Sequence, residues 1–61
     1  MTKQDLLTKY KDAYKDIQSA ISHVDAINNT SLYERKNSGQ IISALATIEE
    51  RLSHRISLLE V

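Results

Sequence analysis

Cysteine, proline, phenylalanine and tryptophan are absent from this 61-residue chain, and Gly39 is its single glycine. Without cysteine there is no disulfide framework and no thiolate metal site, two of the usual staples of small domains. Without proline the strongest helix breaker is missing. With one glycine there is no phosphate-cradling loop and no nucleophile elbow of the Gly-x-Ser-x-Gly kind. The longest uninterrupted apolar run is Ala44-Leu45-Ala46, far short of a bilayer span. Met1-Thr2-Lys3-Gln4-Asp5 leads directly into mixed sequence, with no secretory hydrophobic segment. The expected location is the cytoplasm. Charge of one sign is lacking too: eight basic side chains balance eight acidic ones, four of each in residues 1–30 and four of each in residues 31–61. Such a balance argues against non-specific attraction to nucleic acid or to a membrane surface.

What remains is a helical composition rich in Leu, Ile, Lys, Glu and Ala. Leu6, Tyr10, Ala13, Ile17, Ala20, Val24 and Ile27 recur at alternating steps of four and three, and Leu7, Tyr14 and Ile21 form a second row beside them. Together they span roughly 160° of helix surface. The second apolar series is Ile41, Leu45, Ile48, Leu52, Ile56 and Leu59, flanked by Ile42. Upstream of it the in-phase positions Ser38, Glu34 and Ser31 are polar. The pattern predicts one all-α domain over residues 1–61, an antiparallel two-helix hairpin completed into a helical bundle by self-association or by a partner chain. Helix 1 is expected over about residues 3–28, a loop over 29–31, and helix 2 over about 32–59; a break at 37–39, where Asn37-Ser38-Gly39 falls, stays open. Thr2 with Asp5 has capping-box spacing. Ser31 with Glu34 has the stronger form of it and marks the second helix start.

No group of residues signals catalysis. The serines at 19, 22, 31, 38, 43, 53 and 57 are scattered, and a two-helix chain cannot wall off water. His23 and His54, even with Asp25 or Glu50, lack the spacing that sets metal ligands on one helical face. Non-enzymatic function with no catalytic residue, metal, cofactor or small-molecule substrate is therefore expected. Lys3, Lys9, Lys11 and Lys15 surround Tyr10 and Tyr14, but Asp5, Asp12 and Asp16 interleave at helical spacing, and a self-neutralising face is expected rather than a phosphate track.

One antiparallel neighbour covers a seam of roughly 100°, less than the helix 1 stripe offers. The expected division assigns Ala13, Ile17, Ala20, Val24, Leu45, Ile48 and Leu52 to the intrachain core. Leu7, Tyr10, Tyr14, Ile21, Ile42 and Ile56 are left to meet a partner, either another protein or a second copy. A chain this short is marginal alone, and oligomerisation is the expected remedy.

Two family resemblances accompany this pattern. Leu32-Tyr33-Glu34-Arg35, followed by the Ile41-to-Leu52 apolar segment with Ser43-Ala44, resembles the second helix of the small helical-hairpin co-chaperones of type III secretion needle subunits. That resemblance covers roughly half the chain. It implies an adaptor or co-chaperone whose apolar face binds a larger chaperone. The opening Met-Thr-Lys-Gln followed by an acid, with Lys3, Tyr14 and Gln18, resembles the Rop family of RNA-binding four-helix-bundle dimers. Ungapped superposition, however, puts that family's seam on Thr8, Lys15, Ser22 and Asn29, all polar here. A Rop-like RNA-binding regulator and a small inhibitor docking on an enzyme are the alternatives to the adaptor.

Overall fold

The computed structural model describes residues 1–61. Helix α1 runs from Lys3 to Thr30, a short 3-10 turn covers Leu32–Glu34, and helix α2 runs from Arg35 to Glu60. Both helices are long for a chain of this size. They lie antiparallel in a rod of 45 × 14 × 14 Å, the length of the 28-residue α1 at about 1.5 Å per residue. There is no strand, and no helix is long and apolar enough to cross a membrane.

The start of α1 follows the sequence closely. Thr2 is extended, its hydroxyl accepts from the Asp5 amide at 3.1 Å, and the Asp5 carboxylate accepts from the Thr2 amide at 3.2 Å. Two of the donors left free at a helix start are satisfied reciprocally, and a negative charge sits at the positive end of the helix dipole.

The turn differs from expectation. Helix α1 continues through Thr30, so Ser31 alone separates it from the 3-10 turn. Ser31 serves both neighbours through its backbone: its N–H donates to the Ile27 carbonyl at 3.0 Å, and its carbonyl accepts from Glu34 N–H at 3.2 Å. Its side chain makes no capping bond, so the Ser31–Glu34 box does not form. The Glu34 amide, the donor that such a box would use, is taken instead by the Ser31 carbonyl in the 3-10 turn. The Glu34 carboxylate instead accepts from the Asn37 side chain at 3.5 Å. Because α1 ends without a basic residue in its last turn, the Arg35 guanidinium closes it from outside, donating from Nε to the Asn28 carbonyl at 3.2 Å.

There is no break at 37–39. Helix α2 is continuous through Gly39, which has ordinary helical backbone and no positive φ. The glycine weakens the helix locally without interrupting it, because the intrahelical ladder on either side is intact.

Candidate functional site

The seam between the helices decides which side chains remain for a partner. Along α1 it uses Leu6, Leu7, Tyr10, Ala13, Tyr14, Ile17, Ala20, Ile21 and Val24, all half-buried. The broad stripe is thus shared out on both sides of the central row Tyr10, Ile17 and Val24. Along α2 the inward residues are Ser38, Ile42, Leu45, Glu49, Leu52, Ile56 and Leu59, again at alternating steps of four and three. Only Ser38 and Ile56 are buried, at 3% and 9% exposure.

Two expected assignments are exchanged. Ile48, placed in the intrachain core by periodicity, is exposed at 45%, and Ile41 one heptad earlier at 49%. Ile56, assigned to a partner, is the most buried apolar residue of the chain. Ile42, also assigned to a partner, lies in the seam and is half-buried. The physical reason is a small rotation of α2. Its central row Leu45, Leu52 and Leu59 is common to both arrangements, and the flanking row drawn inward is Ile42, Glu49 and Ile56 rather than Ile41, Ile48 and Arg55. That rotation brings Ser38 into the seam, where its hydroxyl donates to Asn28 Oδ1 at 2.8 Å and lies 3.3 Å from the Arg35 carbonyl. The polar position that interrupts the stripe upstream is therefore the best buried of all, because its hydrogen bonds are made within the chain. Leu7, Tyr10, Tyr14 and Ile21, the α1 residues expected to face a partner, are half-covered by the chain's own second helix, with Tyr10 in the central row of the seam.

The hairpin has two unlike sides. On one, Lys11 and Glu60 form an ion pair at 3.6 Å between half-exposed side chains. Helical phase turns Leu7, Tyr14, Ile21, Ile42 and Ile56 toward this side. The other carries Ile41 and Ile48, and a shallow open depression around the C-terminal half of α2 is bordered by Tyr10 of α1 and by Ile48, Leu52 and Leu58 of α2 together with the polar residues Glu50, Arg51, Ser53, His54, Arg55 and Ser57. Leu58 is 53% exposed. Neither arginine has an ion-pair partner within 4 Å. Periodicity alone left Leu58, Arg51 and Arg55 out of the site. Their signal was present as an arginine pair four residues apart beside the apolar series, but it has meaning only once the face of α2 is known.

The basic residues near Tyr10 and Tyr14 are partly engaged: Lys11 pairs with Glu60, and the Lys3 ammonium lies 3.5 Å from the Val61 carbonyl. No three His, Asp or Glu side chains stand together as a metal site. No protein-family model, curated protein or solved structure matches the chain.

Proposed function

We propose that this chain is a non-catalytic protein–protein interaction module, a helical hairpin that completes its apolar core against another chain. The observation that carries the reading is surface area. The hairpin exposes 4728 Å². A compact monomer of its 6.9 kDa mass exposes about 4000 Å² by the usual scaling of area with mass. The excess of about 700 Å² goes with the 45 × 14 × 14 Å shape, in which two helices cover only one seam and have no second layer. Ile41, Ile48 and Leu58 are among the large apolar side chains that α2 leaves exposed. Exposed apolar side chains of this kind support the interaction reading.

In its more specific form, the module is a cytoplasmic adaptor or co-chaperone of a type III secretion needle subunit. That form rests on the likeness of Leu32–Arg35 and of the Ile41-to-Leu52 segment to the second helix of those proteins. An open apolar flank on α2 is consistent with it.

Sedimentation with thermal melting across a concentration series tests the general reading. The melting temperature rises with protein concentration or on adding the partner, because whatever binds only the folded state stabilises it by mass action. A monomeric mass with a concentration-independent melt, and no gain with any captured chain, refutes it. Co-expression with a needle subunit and its larger chaperone tests the specific form: a three-chain complex supports it, and purification of the other two without this chain removes it.

A further inference from the structure

We infer that the side of the hairpin opposite the Lys11–Glu60 ion pair docks on the same side of a second copy, with the two rods parallel and their turns at one end. This rests on the general interaction-module reading and commits it to one partner, another copy of this chain. Of the exposed large apolar side chains, Met1, Leu32, Tyr33 and Val61 belong to the chain ends and the turn. The others, Ile27, Ile41, Ile48 and Leu58, lie within the helices, and helical phase turns all of them to this one side. The turn-proximal half of the side also lacks formal charge. Residues 37–48 carry no charged side chain, and residues 17–30 carry only Asp25, whose phase points it to the other side. Apolar residues with charge removed from among them are the make-up of an interface centre. The face is 45 Å long and 14 Å wide, of the order that a standard interface takes from each partner, ~800 Å².

Charge selects the second copy and its direction. Asp16 and Arg51 stand on the two outer edges of this side, both exposed and neither in an ion pair within the chain. The Asn28–Ser38 bond sets the register. Asp16 lies twelve residues back from Asn28 and Arg51 thirteen on from Ser38, so the two are nearly level, close to the middle of α1. A two-fold axis along the rods sets α1 of each copy against α2 of the other, antiparallel, as neighbours in a four-helix bundle. Each Asp16 then faces an Arg51 of the other copy. In the same arrangement Ile41 and Ile48 of α2 come level with Ile27 and Ala20 of the other copy. Turned end for end, α1 would face α1 and α2 would face α2. Asp16 would meet Asp16 and Arg51 would meet Arg51 near the axis, and like charges across an interface disfavour association. Lys9 and Arg55 add like charge nearer the open end, so the contact is tightest in the turn-proximal half.

The test labels the turn. The chain has no cysteine, so Tyr33→Cys, at a position 95% exposed, carries one spin label per copy. Sedimentation gives twice the chain mass, and the labels lie about 20 Å apart, some two helix spacings. Copies turned end for end hold them on the order of the 45 Å rod length apart. Asp16→Arg and Arg51→Asp, made singly, each weaken dimerisation by about tenfold, because each turns two attractive pairs into repulsive ones. The double variant restores it. Circular dichroism at high concentration shows wild-type helicity for all three, since both positions are exposed. A dimer with its labels a rod length apart, or one indifferent to the single charge changes, overturns the inference and leaves the interaction module standing. A monomer whose melting temperature rises only with a foreign chain does the same. A monomer with a concentration-independent melt and no gain from any other chain overturns both.

Discussion

Ser38 of α2 donates its hydroxyl hydrogen to the side-chain oxygen of Asn28 on α1 across 2.8 Å, at the most buried position of the chain. A serine–asparagine pair in the seam favours one alignment of the helices, because sliding either helix by one position takes the donor away from the half-buried Asn28 oxygen. The turn adds a second clamp at the same place, since the Asn28 carbonyl accepts from Arg35. Asn28 is thus held through side chain and backbone at once.

Separate replacement of Ser38 and Asn28 by alanine is therefore expected to cost about 0.5–1.5 kcal/mol each, the net worth of one hydrogen bond. The double variant costs less than the sum, since the two groups serve each other. Urea denaturation of the four proteins checks this. Full additivity would show that the pair is not coupled and that register is set elsewhere.

A second test contrasts Ile56 with Ile48, two isoleucines eight residues apart on one helix. Truncating the buried Ile56 to alanine is expected to cost ~2–4 kcal/mol, in the range for buried aliphatic side chains. Truncating Ile48, nearly half exposed, is expected to cost under ~1 kcal/mol in the free chain. In a complex that covers this side of α2 the Ile48 variant binds more weakly. Equal losses in the free chain would mean that α2 is rotated from the orientation described.

The rows flanking the centre of α2 explain how far the fold was legible. The all-α hairpin, its antiparallel sense and the Thr2–Asp5 cap follow from periodicity, chain length and local chemistry, which act over a few residues. The rotation of α2 does not. One flanking row is Ile41, Ile48 and Arg55; the other is Ile42, Glu49 and Ile56. Each offers two isoleucines and one charged residue, so hydropathy cannot choose between them. The choice depends on Ser38 finding Asn28 from the other helix, a pairing over ten residues of chain. The exchanged roles of Ile48 and Ile56 follow directly, and so does the late appearance of Arg51 and Arg55 as site residues. The Ser31–Glu34 box fails because the Glu34 amide is bound by the Ser31 carbonyl in the 3-10 turn, a geometry that the capping spacing alone does not show.

Glu49 supplies the third test, since the rotation that buries Ile56 also turns a carboxylate into the seam. The antiparallel register places it across from Ile17. It is half-buried and has no ion-pair partner. A half-buried carboxylate without a partner gives up part of its hydration. Replacing it by leucine removes that constraint and is expected to stabilise the hairpin by about 1 kcal/mol, through added apolar burial. Thermal melting at fixed protein concentration measures the change. A loss of stability would show instead that the carboxylate is held by an interaction the leucine destroys.

Gly39 offers the last test, one that separates a continuous α2 from a hinged one. Its backbone is helical, its φ is not positive, and a Cβ built on it meets nothing within 4 Å. Nothing in the hairpin therefore uses the absence of a side chain. Alanine at this position fits without strain and reduces the conformational freedom of the unfolded chain, which favours folding by about 0.5–1 kcal/mol. For a domain near this size, 1 kcal/mol raises the melting temperature by about 4–8 °C. Ser38 next to it keeps its bond to Asn28, so the gain adds to the seam rather than replacing part of it. The Gly39→Ala protein is expected to melt higher, with unchanged helicity and an unchanged association mass. If stability falls instead, the glycine serves a bent state of α2, or a partner that approaches its backbone closely. Binding measurements on the same variant tell those two apart: weaker capture at wild-type helicity indicates the close approach, and lower helicity in the free chain indicates the bend.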